Sequence, residues 1–152
     1  MGRIAESLTG CKVIGLDTPV FLYHFESHPD YSPLTRELLD GIERGKWEGV
    51  TSMITLMETT VHPWQAGRED VARKYEALLV NFPHLIFAPV DREVARIAAQ
   101  LRARFQLRPP DALQAAAALV HGAQAFVTNE RHLERIGSLL KVVILDDLLK
   151  SG

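Results

Sequence analysis

The sequence of 152 residues lacks several features that would place it in a compartment or a chemical class. Cys11 is its single cysteine, so an internal disulfide is excluded and a reducing compartment is expected. It has no apolar run long enough to span a bilayer, and residues 1–10 lack the apolar core of a secretory signal. From these absences we expect a soluble, cytoplasmic protein.

An excess of positive charge is also lacking. The chain carries 17 Lys and Arg against 19 Asp and Glu, whereas a general nucleic-acid coat protein is basic. Apolar residues make up 47% and charged residues 24%, which is ordinary for a globular protein and excludes whole-chain disorder. The length predicts a single domain over residues 1–152, with residues 1–10 as an N-terminal extension.

Motifs of several common enzyme classes are absent. There is no G-x-S-x-G, Walker or G-x-G-x-x-G pattern. The sequence therefore does not support the nucleophile elbow of an α/β-hydrolase or a glycine-rich nucleotide-binding loop. Glu58 with His62 and His24 with His28 have the i, i+4 spacing of zinc ligands on a helix. Neither has a second pair at metal-site spacing, so ordinary polar or surface histidines are the better interpretation.

What the chain does have is an alternation of short apolar runs with helical patterns. The runs are KVIGLD at 12–17, WEGVTS at 47–52, LIFAPV at 85–90, AFVT at 125–128 and KVVILDD at 141–147. About five strands alternating with about seven helices predict an α/β fold with a parallel sheet covered on both faces. Pro89 suggests that the third strand lies at an edge, and Pro63 predicts the end of the helix that begins at Met53.

Four acids stand where such a fold places its ligands, at the carboxyl ends of the strands. Asp17 ends the first strand, Glu130 follows the fourth, and Asp111 begins an alanine-rich helix. Taken singly, each is better interpreted as a helix-terminal acid that accepts backbone N–H groups. Glu58 differs, because helical spacing puts it on an apolar arc that should be buried, with Ile54, Met57 and Val61. There it needs a metal or a basic partner, unless it swings to the rim.

Clustered carboxylates repel one another and need a cation. Their hard oxygen atoms suit Mg²⁺ or Mn²⁺, and two such ions can activate a water and stabilise the leaving oxygen of a phosphodiester. A basic rim would favour a polyanionic substrate. Its candidates are Arg102, Arg104, Arg108 and Arg131, although a solvated face is the more common role for any one of them.

At this point the motifs resemble a known family. The matching stretches, in family order from about residue 12 to residue 146, are VIGLDTPVFLYHF, TSMITLMETTVHP, LRPPDALQAAAALVHGAQAFVTNERHL and the final KVVILDD. PPDALQAAAAL followed by AFVTNE is the most specific of them. The chain resembles PIN-domain proteins, particularly the toxin ribonucleases of VapC type.

The resemblance implies a three-layer sandwich around a parallel sheet in the order 3-2-1-4-5, and a metal-dependent ribonuclease. It implies that the catalytic and metal-binding acids are Asp17, Glu58, Asp111 and Glu130. It further implies positioning groups that hold the carboxylates or waters, namely Thr18, Ser52, Thr128 and Asn129. A toxin of this kind would act on RNA, be blocked by a small antitoxin protein, and form a homodimer.

Two residues depart from the family pattern. The family usually has Asp where this chain has Glu130, and often Asn or Ser where it has Pro19. These departures motivate an alternative, a catalytically weak or inactive PIN-like module that binds RNA or protein. A phosphatase or receiver-like domain also places acids at strand ends, but a receiver needs a Lys after a late strand. Lys141 precedes the last strand and Lys150 is terminal, so this interpretation is poor.

Overall fold

The computed structural model describes residues 2–150 and is built around a five-stranded parallel sheet. Its strands lie in the order β3-β2-β1-β4-β5, as the family resemblance implied, and β3 is an edge strand. Their bounds are β1 Val13–Leu16, β2 Glu48–Ser52, β3 Leu85–Ala88, β4 Ala125–Thr128 and β5 Lys141–Ile144. Every neighbouring pair is parallel, so the predicted α/β fold class is confirmed.

Helices cover both faces of the sheet. Residues 2–150 contain eight α-helices and one 3-10 helix, slightly more than the seven expected. The α-helices are α1 Arg3–Ser7, α2 Thr18–Phe25, α3 Ser32–Glu43, α4 Met53–Gln65, α5 Glu69–Val80, α6 Arg92–Phe105, α7 Pro109–Val120 and α8 Leu145–Lys150, and the 3-10 helix is Arg131–Ile136. Within this part of the chain, each helix is too short or too polar to cross a membrane.

Two apolar cores, one on each face of the sheet, make the three layers. One packs α1, α2 and α3 against the sheet and includes Phe21 and Leu38. The other packs α6 and α7 against the opposite face and includes Leu101 and Phe126. Ile4, Ala5 and Leu8, from α1 and the residue that follows it, belong to the first core. The assignment of all 152 residues to one domain stays a prediction.

Gly15 allows α7 to pack closely on the middle of the sheet. A Cβ atom added to this residue would lie 2.7 Å from both the Ala118 Cβ and the Phe126 Cδ1 atoms. The small residues of α7 match this close approach, because its alanines from Ala115 to Ala118 are buried. As a result, the first turn of α7 lies beside the carboxyl ends of the central strands.

The predictions for α4 were wrong in two respects. The helix runs through Pro63 to Gln65, since Pro63 stands in its last turns and the carbonyl of His62 still accepts the N–H of Ala66 at 2.9 Å. Its buried face is made of threonines, Thr55, Thr59 and Thr60, whose hydroxyls are hydrogen-bonded. The apolar arc faces outward instead, with Met57 56% and Val61 39% exposed.

Candidate active site

A cleft of about 410 Å³ opens at the carboxyl ends of β1 and β4, the neighbouring strands at which the winding of the chain reverses. All four acids singled out in the sequence line it. The complete lining is Asp17, Thr18, Pro19, Leu22, Glu58, Val61, His62, Arg108, Pro110, Asp111 and Glu130. The acids come from four separate segments, so the sheet topology is what brings them to one place.

Asp17 lies at the bottom of this cleft and is only 3% exposed. As the N-cap of α2, its Oδ1 accepts the N–H of Thr18 at 2.9 Å, and its Oδ2 accepts the hydroxyl of Thr128 at 2.7 Å. Burial raises the pKa of Asp17 to about 7, because desolvation outweighs these two hydrogen bonds, and the charges of Asp111 and Glu58 raise it further. A cation in the cleft would favour the ionised form.

Glu58 lies at the rim of the cleft, half-buried on α4. The hydroxyl of Thr18 donates to Glu58 Oε1 at 2.6 Å, so the residue next to Asp17 also orients this second carboxylate. In residues 2–150, no Lys, Arg or His forms a salt bridge with Asp17 or Glu58. These two acids therefore have only hydroxyl and amide partners.

Gln114 connects the helices that carry the acids. Its buried side chain accepts the hydroxyl of Ser52 at 2.6 Å and donates through Nε2 to Thr18 at 3.0 Å and to Thr55 at 2.8 Å. Ser52 is also the N-cap of α4 and accepts the N–H of Ile54 at 3.1 Å. One amide thus links the first turns of α2 and α4 to α7, with its polar atoms satisfied.

Asp111 and Glu130 form the other wall of the cleft, and both are paired with Arg108. Arg108 Nε donates to Asp111 Oδ2 at 3.1 Å, and Arg108 Nη2 lies 3.2 Å from Glu130 Oε2. His132 Nε2 donates to the same Asp111 oxygen at 2.6 Å. The two carboxylates hold the pKa of the Arg108 guanidinium above its usual value, mainly through the hydrogen bond that Arg108 donates to Asp111.

The carboxylate oxygens that line the cleft are ligands of the kind that a hard divalent cation prefers. Among residues 2–150, no group of three or more His, Cys, Asp or Glu side chains is arranged to hold a metal ion as it stands. At Asp111 and Glu130 the guanidinium of Arg108 supplies positive charge. Asp17, buried without a basic partner, is the acid that gains most from a cation.

A comparison with models of protein families identifies the family to which this chain belongs. A model of the PIN domain matches residues 14–139, which is most of the chain. The chain belongs to the PIN-domain family. The resemblance to PIN-domain proteins that the motifs indicated is therefore confirmed.

Solved structures similar to this PIN domain share its fold at low sequence identity. VapBC2 of Rickettsia felis, bound to a promoter DNA fragment, is 18% identical over 87% of this chain and 98% of its own, with a TM-score of 0.68. DNA-bound VapBC of Salmonella typhimurium is 23% identical over 88% and 98%, with a TM-score of 0.61. FitAcB of Neisseria gonorrhoeae is 20% identical over 88% and 97%, with a TM-score of 0.63. No curated protein matches this chain significantly.

The candidate rim arginines of the PIN domain are not all at the cleft. Arg108 lines it, whereas Arg102 donates to the carbonyl of Leu107 and Arg104 lies over the ring of Phe105. Arg131 is paired with Asp147 and Glu134. A role of Arg102, Arg104 and Arg131 in substrate binding stays a prediction, and the structure does not bring them to the acids.

Three of the four expected positioning groups of the PIN domain contact the acids or their network. Thr18 and Thr128 hydrogen-bond the carboxylates, and Ser52 acts through Gln114. Asn129 has other partners, since it donates to the hydroxyl of Tyr23 at 3.1 Å and accepts the N–H of Asp146 at 2.9 Å. It ties β4 to α2 and α8 rather than orienting one of the four acids.

Sequence reasoning missed two residues of this PIN domain site. Gln114 stands three residues after Asp111 in an otherwise apolar helix, and a lone amide on an alanine-rich face was the signal that could have found it. His132 follows Glu130 by two residues and carried no signal, because its contact with Asp111 depends on how the 3-10 helix lies against α7.

Proposed function

We propose that this PIN domain is an Mg²⁺- or Mn²⁺-dependent endoribonuclease. The observation that carries the proposal is the convergence of the four acids on one cleft at the switch point of a parallel sheet. In this proposal the cation is held by Asp17, Glu58, Asp111 and Glu130, which are also the catalytic residues. No side-chain nucleophile is needed, because the attacking group is water.

The roles of the side chains follow from their contacts. Bound Mg²⁺ or Mn²⁺ supplies a Lewis acid that lowers the pKa of water and neutralises charge on the phosphodiester. Thr128 and the N–H of Thr18 fix both oxygens of Asp17, and the hydroxyl of Thr18 fixes Glu58. Arg108 neutralises Asp111 and Glu130 while they lack another cation, and once released it is a positive group beside the substrate phosphate.

We further propose a toxin role, with a small antitoxin protein as partner, a homodimeric state and a cytoplasmic location. The support is that the similar solved structures include VapBC complexes and a toxin-antitoxin complex from Klebsiella pneumoniae. Expression of the chain alone should arrest growth, and that of its Asp17→Asn variant should not. Light scattering of the purified protein measures the oligomeric state. Normal growth with abundant metal-competent protein would contradict the toxin role.

The activity test is cleavage of single-stranded RNA in Mn²⁺ by the parent and by Asp17→Asn. We expect cleavage by the parent, inhibition by EDTA, and a loss of about a hundredfold or more in the variant, which removes a carboxylate that the cation needs. Asp30→Asn is the matched control, since Asp30 is exposed and outside the cleft. If Asp17→Asn cleaves RNA as fast as the control Asp30→Asn, the activity does not come from this cleft.

A second candidate function, a binding module without turnover, is favoured by one observation. Arg108 and His132 already satisfy Asp111 and Glu130, so the cleft can exist without a metal. In that case calorimetry would show no uptake of Mn²⁺ at millimolar concentrations, while RNA or protein binding would persist in EDTA.

A further inference from the structure

A second hollow lies next to the cleft and shares a wall with it. Its volume is about 330 Å³, and it is lined by Gln106, Arg108, Glu130, His132 and Arg135. Arg108 and Glu130 line both spaces. An RNA strand that extends from the cleft across these two residues would therefore enter the hollow. The hollow contains two arginines and one carboxylate, and that carboxylate is already paired with Arg108 at 3.2 Å.

Arg135 is the cation of this hollow whose charge is not neutralised. Its Nη1 donates to the carbonyls of Phe105 at 3.3 Å and Gln106 at 3.2 Å, and no carboxylate in residues 2–150 forms a salt bridge with it. The neighbouring Arg131, in contrast, pairs with both Asp147 and Glu134. Two carbonyls therefore hold the Arg135 guanidinium in place while its net charge stays available.

We propose that this hollow is a subsite for a second backbone phosphate of the RNA, adjacent to the phosphate at the cleft. The inference rests on the proposed nuclease function. Because Nη1 is used by the two carbonyls, the Nε and Nη2 edge of Arg135 is left for a phosphate, and a guanidinium can bind two phosphate oxygens at once. Backbone phosphates carry no base identity, so the subsite strengthens binding and orients the strand without reading sequence.

The first measurement is binding of a short, fluorescein-labelled single-stranded RNA in EDTA, followed by anisotropy at several salt concentrations. We expect Arg135→Gln to weaken binding roughly five- to tenfold and to reduce the slope of log affinity against log salt by about 0.7, the loss of one phosphate contact. Arg135→Lys should bind with an affinity between those of the parent and Arg135→Gln, because it keeps the charge but loses the paired donors of the guanidinium. Arg96→Gln is the control, since Arg96 is exposed and lines neither space.

The second measurement separates the subsite from the chemistry at the cleft. Bis(p-nitrophenyl) phosphate has a single phosphate, so its hydrolysis in Mn²⁺ uses the cleft alone. Arg135→Gln should leave this rate unchanged while raising KM for RNA with little change in kcat. A thermal melt shows whether the variant is folded, and the Lys variant distinguishes lost charge from a lost contact with the Phe105 and Gln106 carbonyls.

The outcomes distinguish the two proposals. If the parent binds RNA and folded Arg135→Gln binds it equally well, the subsite is wrong while the nuclease proposal stands. If both variants at Arg135 bind equally weakly, the role of this residue is structural and the subsite is also wrong. If binding falls as expected but neither substrate is hydrolysed, the subsite stands and the nuclease proposal is wrong. If the parent neither binds nor cleaves RNA, both are wrong.

Discussion

Asp17 is the most deeply buried of the four acids, at 3% exposure against 6% for Asp111. Glu58 is half-buried, and the Glu130 side chain is 42% exposed. A carboxylate placed this deep without a basic partner weakens the metal-free fold. In the proposed function, a cation bound in the cleft would offset this cost.

Replacing Asp17 by Asn should stabilise the metal-free protein at alkaline pH. The pKa of Asp17 is about 7 in the fold against 3.8 in the unfolded chain, so between these values the folded state holds the extra proton. The parent therefore loses stability as the pH rises from about 4 to 7, and the loss is complete above that range. In EDTA at pH 8 we expect the free energy of unfolding of Asp17→Asn to exceed that of the parent by about 2–4 kcal/mol, so the variant is the more stable protein.

Urea unfolding across this pH range, with Asp30→Asn as the surface control, measures that difference. The gap between the Asp17 variant and the parent should be small at pH 4 and grow towards pH 7. A gap that is constant with pH would mean that the ionisation of Asp17 does not cause it.

Arg108 is the counter-ion of Asp111 and Glu130, so in the proposed function it would compete with the metal for these two carboxylates. Arg108→Gln should bind Mn²⁺ about three- to tenfold more tightly than the parent, because two partly exposed ion pairs no longer have to be broken. Calorimetry measures the affinity, and Arg131→Gln is the matched control, since its partners Asp147 and Glu134 lie outside the cleft. Weaker binding in the Arg108 variant would contradict the competition.

At the scale of elements, the close packing of α7 on β1 sets the position of Asp111 and Gln114. Gly15→Ala should lower the free energy of unfolding by about 1–3 kcal/mol, because the added methyl group meets Ala118 and Phe126 at 2.7 Å. Gly49→Ala on β2 is the control, since its Cβ meets the flexible ends of Ile42 and Leu85 at 3.0 Å. Denaturant unfolding compares the two, and equal losses would argue against a special constraint at Gly15.

Helix α4 shows why a pattern that is clear in sequence can be assigned to the wrong face. Its apolar residues Met57 and Val61 suggested a buried side, yet the threonines at 55 and 59 are the ones buried. Their hydroxyls are satisfied by Thr51, Gln114 and the carbonyls of the helix itself, so burial costs little. Hydropathy cannot anticipate such a network, because the partners come from distant segments.

For the whole molecule, the parallel α/β fold and the gathering of the acids were predictable from the sequence, and the family resemblance added the strand order. Each strand is a short apolar run, and acids such as Asp17 follow the strands directly, so the topology of a parallel sheet brings them together. The pairing of Arg108 with Asp111 and Glu130 was not predictable, because it depends on side-chain conformations. The same is true of His132 and Arg135, which the 3-10 helix places beside α7 and the end of α6.

The most direct test of the account is calorimetric titration of Mn²⁺ into the parent and Asp17→Asn at pH 8, where Asp17 is ionised. We expect saturable uptake by the parent at millimolar concentrations or below. Uptake should be at least tenfold weaker in the variant, because the proposed metal centre uses the buried carboxylate of Asp17 as a ligand. No uptake by the folded parent, or equal uptake by both proteins, would contradict the claim that these acids form a metal centre.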